Sequence, residues 1–305
     1  MSERNFVEML KECWRLNRSV CVGLDSDCDQ IPIAAQKESV EKTIFYFNCA
    51  IIDATKDLVC AYKPNIAFYE QNGLEGLSAL IKTTDYIRTS APEIPIILDA
   101  KRGDIGNTNK GYVQAAFETY GVDAITVHPY LGREALQPFL DQKNKGIIVL
   151  CRTSNPGAGE FQDFSTGWYE NDVLNLIVDK APKIDGNEIP LWAYVAASVT
   201  LNWNENGNCG LVVGATYPEE LEMVRKIVDD MPILIPGIGA QGGDIEKTVN
   251  AGADINREGM IINSSRGIIF ASKGPDFAET ARAETKKLND LISHYRFSYK
   301  KIKGV

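Results

Sequence analysis

Apolar runs of strand length recur along the whole chain, with room for a helix between successive runs. The eight runs are 19–25, 58–65, 94–101, 124–130, 146–153, 209–216, 232–237 and 259–265. Their nearly continuous Val, Ile and Leu content, without clean alternation, is typical of parallel strands covered on both faces. The pattern therefore predicts an α/β fold built on a buried parallel sheet.

Segments with helical periodicity separate these runs, for example 39–57 and 218–230. The second begins with Pro218 and two acidic residues, which is a favourable helix start. Segment 189–204 is interpreted mostly as helix, because its alanines and spaced large residues suit a packed helix better than a ninth strand. The first 20 residues are predicted to form an amphipathic helix, with no secretory signal.

Eight strands alternating with helices over 305 residues match the size of a (β/α)8 barrel, the TIM barrel. An open doubly wound sheet is the alternative, but no G-x-G-x-x-G motif opens a helix. No low-complexity linker divides the chain. We therefore predict a single barrel domain over 1–305, with an N-terminal helix and a long insertion near 153–208 that begins as a long loop. The basic end, 295–305, is predicted to be solvated.

Composition narrows the classes of function. The net charge of −9 argues against a nucleic-acid partner, although a local basic pocket for an anion remains compatible with it. The chain contains no run of about eighteen apolar residues, which a transmembrane helix would need. No membrane partner is therefore expected. The seven cysteines are odd in number, include no C-x-x-C motif and lie mostly in apolar runs, which indicates reduced core thiols in a cytoplasmic protein. Only two histidines are present, which disfavours a histidine-rich metal site.

Charged residues cluster where the predicted strands end, which is where TIM barrels carry their functional groups. The first strand ends in Asp25, the second in Lys63 and Asn65, and the third in Asp99 and Lys101. Strand alternation predicts that Asp99 and Lys101 share one face, where Lys63 of the neighbouring strand can join them. Opposite charges at this separation favour each other's ionised form. A structural ion-pair network at the top of the barrel is the alternative interpretation.

The glycine-rich segment 236–244 follows the seventh strand, and Arg266 follows the eighth. Loops after these two strands form the usual phosphate site of TIM barrels, and backbone N–H groups of such a loop can bind an anion. Gln241 offers an additional side-chain donor. The segment therefore predicts a phosphate site, with a plain flexible loop as the alternative.

Two other segments remain open. Segment 152–157, which includes Ser154, supplies either polar contacts to a ring or only a loop turn. His128 ends a strand, but a histidine satisfied by local hydrogen bonds is the preferred interpretation over a general base. No serine or cysteine has the surroundings of a nucleophilic triad.

Several of these segments resemble, in the same order, the orotidine 5′-phosphate decarboxylase family, and most closely its longer branch. DAKRGDIGNT at 99–108 resembles the family signature D-x-K-x-x-D-I. The other similar segments are GLD at 23–25, KPN at 63–65, RTSN at 152–155, GLVVGATYPEEL at 210–221, PGIGAQGGD at 236–244 and SSRG at 264–267. The resemblance extends from about residue 19 to about residue 270.

The resemblance implies decarboxylation of orotidine 5′-phosphate to uridine 5′-monophosphate (UMP) without cofactor or metal, as the last step of pyrimidine synthesis. It also implies a homodimer with active sites at the subunit interface. Lys101 would protonate C6, Asp99 would lie beside the substrate carboxylate, Asp104 would come from the partner, and Lys63 would complete the array. The implied substrate-binding residues are Asp25 and Asn65 for the ribose, Ser154 for the pyrimidine, Gln241 and Arg266 for the phosphate, and Ile105 and Thr108 beside Asp104.

Two other functions fit parts of the pattern. A barrel acting on sugar phosphates through a metal-bound enediolate can share D-x-K-x-x-D, but it needs acidic metal ligands, and this chain has Lys63 at such a position. A non-catalytic module that binds nucleotide phosphates explains the glycine-rich loop. It gives no reason for two lysines and two aspartates close together.

Overall fold

A computed structural model describes residues 4–167, 171–181, 184, 188–238 and 242–302. Its main sheet has eight parallel strands, with one in each predicted apolar run. They are β1 (Val20–Leu24), β2 (Val59–Pro64), β3 (Ile97–Arg102), β4 (Ala124–Val127), β5 (Gly146–Arg152), β6 (Cys209–Val213), β7 (Ile233–Ile235) and β8 (Met260–Ser264).

The hydrogen-bonded order is β2-β1-β8-β7-β6-β5-β4-β3. Parallel bridges between Tyr62 and Ile96 and between Asn65 and Asp99 join the two end strands of this order. The sheet therefore curls into a barrel surrounded by helices, and the predicted TIM barrel is confirmed.

Burial on both faces explains why the strands lack alternation. Every residue of β1, β2, β4, β6, β7 and β8 is buried. Strand β3 differs, because Ile97 and Leu98 are buried whereas its last four residues are partly or fully exposed. The carboxyl half of β3 is thus a part of the sheet that opens to solvent.

Helices surround the barrel. They are Phe6–Arg15, Val40–Thr55, Ala67–Glu70, Gly73–Ser90, Gly106–Gln114, Gly132–Leu140, Gly159–Gln162, Asp172–Lys180, Leu191–Ser198, Pro218–Val228, Ile245–Gly252, Arg266–Ile269 and Phe277–Ile302. Two of them continue as π-helices over Ala115–Thr119 and Val199–Trp203, and 3-10 turns cover Ile33–Ala35 and Pro156–Ala158. The predicted helical character of 189–204 is confirmed for all but its first two residues and its last.

The predicted N-terminal helix is confirmed over Phe6–Arg15. Its Phe6 ring occupies the space that a side chain at Gly146 would need, and Trp14 Nε1 donates to the Met260 carbonyl at 2.8 Å. Because Gly146 and Met260 begin β5 and β8, this helix covers the amino ends of the strands. The opposite end of the barrel is left for a functional site.

The insertion contains more secondary structure than the predicted long loop. A 3-10 turn and a one-turn helix are followed by Ser165–Thr166, which pairs antiparallel with Ile189–Pro190. The helix Asp172–Lys180 then begins after Asn171, whose side chain accepts from the Leu174 N–H at 3.0 Å. Local capping and a buried apolar stripe build helix here, although the composition is typical of a loop.

Two predictions from composition have different outcomes. All seven cysteines are free thiols, as predicted, but only five are buried, because Cys28 and Cys49 are partly exposed. The basic end is not simply solvated, because Arg296 is 2% exposed and donates from Nε to the Arg257 carbonyl at 2.6 Å. This contact anchors the helix Phe277–Ile302 to the barrel.

Among the described residues, no helix is both long enough and apolar enough to span a membrane.

Candidate active site

A cavity of about 530 Å³ lies at the carboxyl ends of the barrel strands. It is opposite the end that the N-terminal helix covers. Six of the predicted site residues line it, namely Asp25, Lys63, Asp99, Lys101, Ser154 and Arg266. Most of the predicted charged and polar groups therefore converge on one cavity from several strands.

Four charged side chains form a row on one side of this cavity. Lys101 Nζ lies 2.5 Å from Asp99 Oδ1, and Lys63 Nζ lies 3.1 Å from Asp99 Oδ2. Lys63 Nζ is also 3.8 Å from Asp25 Oδ1. We call these residues the charged row: Lys101, Asp99, Lys63 and Asp25. Its signs alternate, so each interior member has an opposite charge on both sides.

The row keeps its interior members ionised. Burial alone would raise the pKa of Asp99, but the ammonium groups of Lys63 and Lys101 outweigh burial and hold that pKa well below its usual range. Burial alone would lower the pKa of Lys63, but the carboxylates of Asp99 and Asp25 outweigh it and raise that pKa. The Lys63 side chain is 4% exposed, whereas that of Lys101 is 51% exposed. Lys101 is therefore the cation of the row that a ligand can reach.

A β-bulge, rather than regular alternation, brings Asp99 and Lys101 together. Leu98 pairs with Ile125 and Arg102 with Val127, so three residues of β3 face the single residue Thr126 of β4. Lys101 adopts a φ of +49°, in the left-handed region. The expectation that the two side chains are neighbours is met, but the reason given by strand alternation is wrong.

Thr126 is a site residue that the sequence interpretation missed. Its hydroxyl donates to Asp99 Oδ1 at 3.0 Å and accepts the backbone N–H groups of Ala100 and Lys101, each at 3.0 Å. The side chain is 1% exposed and lies on the cavity wall. The only sequence signal was a threonine near the end of an apolar run.

The proposed phosphate end of the cavity is partly described. Gly237 has a φ of +104°, which favours glycine, and its carbonyl accepts the Gly243 N–H at 3.1 Å. Arg266 begins the short helix after β8 and lines the cavity with an exposed side chain. Residues 239–241 lie outside the described residues, so the role of Gln241 stays a prediction.

Segment 152–157 contributes to the cavity wall. Thr153 donates its N–H to Gln162 Oε1 at 2.9 Å, and Gln162 Nε2 donates to Thr153 Oγ1 at 2.9 Å. Both residues and the neighbouring Ser154 line the cavity. Gln162 is a second residue that the sequence interpretation missed, because it reaches the cavity from the insertion and lies in no recognised motif.

Four predicted residues lie outside the cavity lining. Asn65 Oδ1 accepts the Ala67 N–H at 3.2 Å, next to the bridge that joins Asn65 to Asp99. Asp104 Oδ1 accepts the Ile105 N–H at 2.6 Å. Ile105 is 63% exposed, and Thr108 is also exposed. Within one chain, Asp104, Ile105 and Thr108 therefore do not line the cavity that contains the charged row.

His128 has local contacts that agree with the preferred interpretation. Its Nδ1 accepts the Tyr130 N–H at 3.3 Å, and its ring fills the space beside Gly103. Within the described ranges, no three His, Cys, Asp or Glu side chains are grouped so that they could hold a metal ion. The absence of a metal requirement remains a prediction.

Comparison with known proteins gives a consistent match. The family described as "Orotidine 5'-phosphate decarboxylase / HUMPS family" matches residues 18–282. A relative from Cellvibrio japonicus (strain Ueda107), named orotidine 5′-phosphate decarboxylase, is 46% identical over 290 residues, which cover 95% of this chain and 98% of the relative.

Two solved structures from Leishmania donovani have similar folds. OMP decarboxylase has a TM-score of 0.76 and 33% identity, covering 96% of this chain and 99% of that chain. UMP synthase has a TM-score of 0.79 and 34% identity, covering 97% of this chain. The match spans only 57% of the UMP synthase chain.

Proposed function

The chain belongs to the orotidine 5′-phosphate decarboxylase family, and from this premise we propose that it converts orotidine 5′-phosphate to UMP with Lys101 as proton donor to C6. The observation that carries the proposal is the charged row, in which Asp99 stays ionised between a buried and an accessible ammonium group. The reaction is the last step of pyrimidine synthesis. We assign it to the cytoplasm, because free thiols are typical of a reducing compartment.

The reaction requires a fixed positive charge beside C6 of the pyrimidine. Loss of carbon dioxide breaks the bond between C6 and the carboxylate and leaves the electron pair on C6. The Lys101 ammonium stabilises this developing charge, and one of its N–H protons moves to C6 as carbon dioxide leaves. The resulting neutral amine then takes a proton from solvent. The half-exposed Lys101 side chain, held at its end by Asp99, supports this role.

Asp99 would act on the substrate carboxylate by charge. An ionised Asp99 repels a neighbouring carboxylate, and the repulsion ends when carbon dioxide departs. Enzymes commonly lower barriers by about 8–23 kcal/mol, which exceeds what one such repulsion supplies. Binding energy from the phosphate and ribose must therefore contribute to ordering the charged row around the substrate.

The remaining cavity groups would bind the rest of the substrate. Arg266 would bind the phosphate through charge-assisted hydrogen bonds, with Gln241 and the glycine-rich loop. Asp25 and Asn65 would bind the ribose hydroxyls. Support for Asp25 comes from its Oδ1, which is buried and has no hydrogen-bond partner among the described residues. Ser154 on the cavity wall would contact the pyrimidine ring.

A second copy of the chain would complete each site. Asp104, Ile105 and Thr108 lie outside the cavity of their own chain, and Ile105 exposes 63% of an apolar side chain. A two-fold dimer would cover this surface and bring Asp104 to the partner's charged row. In this proposal residues 1–305 act as one barrel domain, the only partners are the substrate and a second subunit, and no metal or cofactor takes part.

The test is an assay of the purified chain with orotidine 5′-phosphate in the presence of a chelator. We expect equal amounts of UMP and carbon dioxide, followed by absorbance and by trapping of labelled carbon dioxide. A folded protein that releases no carbon dioxide would contradict the proposal. Activity that appears only after a divalent cation is restored would instead favour the metal-dependent alternative.

A further inference from the structure

We propose that Thr126 is the positioning residue that holds Asp99 and Lys101 in their reactive arrangement, an inference that rests on the proposed function. In the proposed reaction Thr126 contacts neither C6 nor the substrate carboxylate. It acts through the two charged residues that do.

The register of the sheet makes this contact possible. Between Leu98 and Arg102 on β3, the chain has three residues where β4 has only Thr126. The extra residues cannot all take part in the regular ladder, so some of their N–H groups need another partner. The Thr126 hydroxyl accepts two of them, from Ala100 and Lys101, at 3.0 Å each.

The same hydroxyl also orients the carboxylate. A threonine hydroxyl has one proton to donate and two lone pairs to accept with, and here all three are used. Its proton goes to Asp99 Oδ1 at 3.0 Å, the oxygen that also accepts from Lys101 Nζ at 2.5 Å. The Thr126 hydroxyl therefore binds both the backbone and a side chain of the bulge.

The bulge needs such support. The φ of +49° at Lys101 is rare for a residue with a side chain, and it persists only where the surroundings hold it. Without the hydroxyl, two partly buried backbone N–H groups lose their acceptor, and Asp99 loses one of its donors. We expect the backbone at Lys101 to relax, which moves the ammonium away from C6 without removing any charge.

The experiment compares Thr126→Val, which keeps the shape but loses the hydroxyl, with Thr126→Ser, which keeps the hydroxyl. The matched control is Thr285→Val, because Thr285 is also fully buried and donates only to the Ala281 carbonyl at 2.7 Å in the last helix. The measurements are kcat and KM for orotidine 5′-phosphate, the dissociation constant of UMP, and the thermal midpoint.

We expect Thr126→Val to lower kcat by about 30- to 1000-fold, because misplaced reacting groups commonly cost about two orders of magnitude. KM and the UMP dissociation constant should change by less than about threefold, since the binding groups are untouched. Thr126→Ser should retain kcat within about fivefold, and Thr285→Val should retain wild-type kcat despite a similar loss of a buried hydrogen bond.

Three results would overturn the inference: a Thr126→Val enzyme with near wild-type kcat, a folded Thr126→Ser enzyme as slow as Thr126→Val, or equal losses in Thr285→Val. If Thr126→Val does not fold, the kcat of Thr126→Ser decides. Wild-type turnover in the same assay separates this inference from the proposed function. An inactive wild type refutes the function, whereas an active wild type with an unaffected valine variant refutes only the role of Thr126.

Discussion

Lys101 Nζ lies 2.5 Å from Asp99 Oδ1, although Lys101 adopts a left-handed backbone within the strand that carries both residues. In a regular strand the two side chains would share a face without any special backbone. Here the contact depends on a bulge and on its neighbour Thr126. The proposed proton donor is therefore positioned by tertiary structure as well as by its place in the chain.

Replacing Lys101 with alanine should abolish most turnover but preserve ligand binding. General acid catalysis contributes about 100- to 10,000-fold, and in the proposed reaction this lysine also supplies the positive charge at C6. We expect kcat to fall at least 1000-fold, while calorimetry shows UMP binding within about tenfold of wild type. Lys11→Ala, at an exposed lysine paired with Glu8, is the control and should leave kcat unchanged. Lys101→Ala activity within tenfold of wild type would exclude the proton-donor role.

Removing the Arg266 guanidinium should weaken capture of phosphorylated substrate only. Hydrogen bonds to charged groups contribute about 1.5–3 kcal/mol, so we expect Arg266→Ala to lower kcat/KM for orotidine 5′-phosphate by about 10- to 150-fold. The slow reaction of orotidine, which lacks the phosphate, should scarcely change. Arg133→Ala, at an exposed arginine paired with Glu205, is the matched control. Equal losses for the two substrates would indicate that Arg266 acts structurally.

Asp99 should stabilise the fold through its charge, with a defined dependence on pH. Its folded pKa is lowered, so its contribution is fully present above the unfolded pKa of about 3.9 and is lost as the pH falls toward the folded pKa. The difference in thermal midpoint between wild type and Asp99→Asn should therefore be constant from about pH 5 to pH 8 and shrink below about pH 4.

Thermal melts of both proteins over this range provide the measurement. Asp290→Asn, at an exposed carboxylate paired with Lys286, is the control and should differ little from wild type throughout. A difference for Asp99→Asn that grows as the solution becomes more acidic would contradict the assigned direction of the pKa shift.

Mixed dimers test whether Asp104 serves the partner's site. Lys101→Ala and Asp104→Ala homodimers should each be nearly inactive. In a mixed dimer, one site receives both damaged residues and the other receives neither. Random exchange of equal amounts makes half the dimers mixed, so about one quarter of all sites should recover wild-type activity. If mass spectrometry shows exchange and the mixture stays inactive, Asp104 acts within its own chain.

The sequence predicted much of the architecture, including the eight strands of the barrel. Buried parallel strands need apolar residues on both faces, so all eight runs marked their strands, although β3 begins three residues later than its predicted run. Lys63, Asp99 and Lys101 were identifiable because TIM barrels carry functional groups at strand ends. These predictions rest on local composition and spacing, which the printed sequence contains.

The remaining site features depended on contacts between segments distant in the chain. Thr126 is 27 positions from Asp99, and Gln162 reaches the cavity from an insertion whose composition is typical of a loop. The basic end carries Arg296, whose burial depends on a carbonyl 39 residues away. No local pattern encodes such pairings, because the hydrogen-bonding potential of a threonine or glutamine is the same wherever it lies.

The sequence by itself therefore determined the strands, the alternation of strand and helix, and the residue types available for chemistry. Only the tertiary structure decided that Asp99 and Lys101 meet through a bulge, that Thr126 binds both, and that Asp104 lies outside its own chain's cavity. The physical reason is that periodicity records which side of an element is buried. Register, backbone strain and side-chain contacts arise only when separate strands are packed against one another.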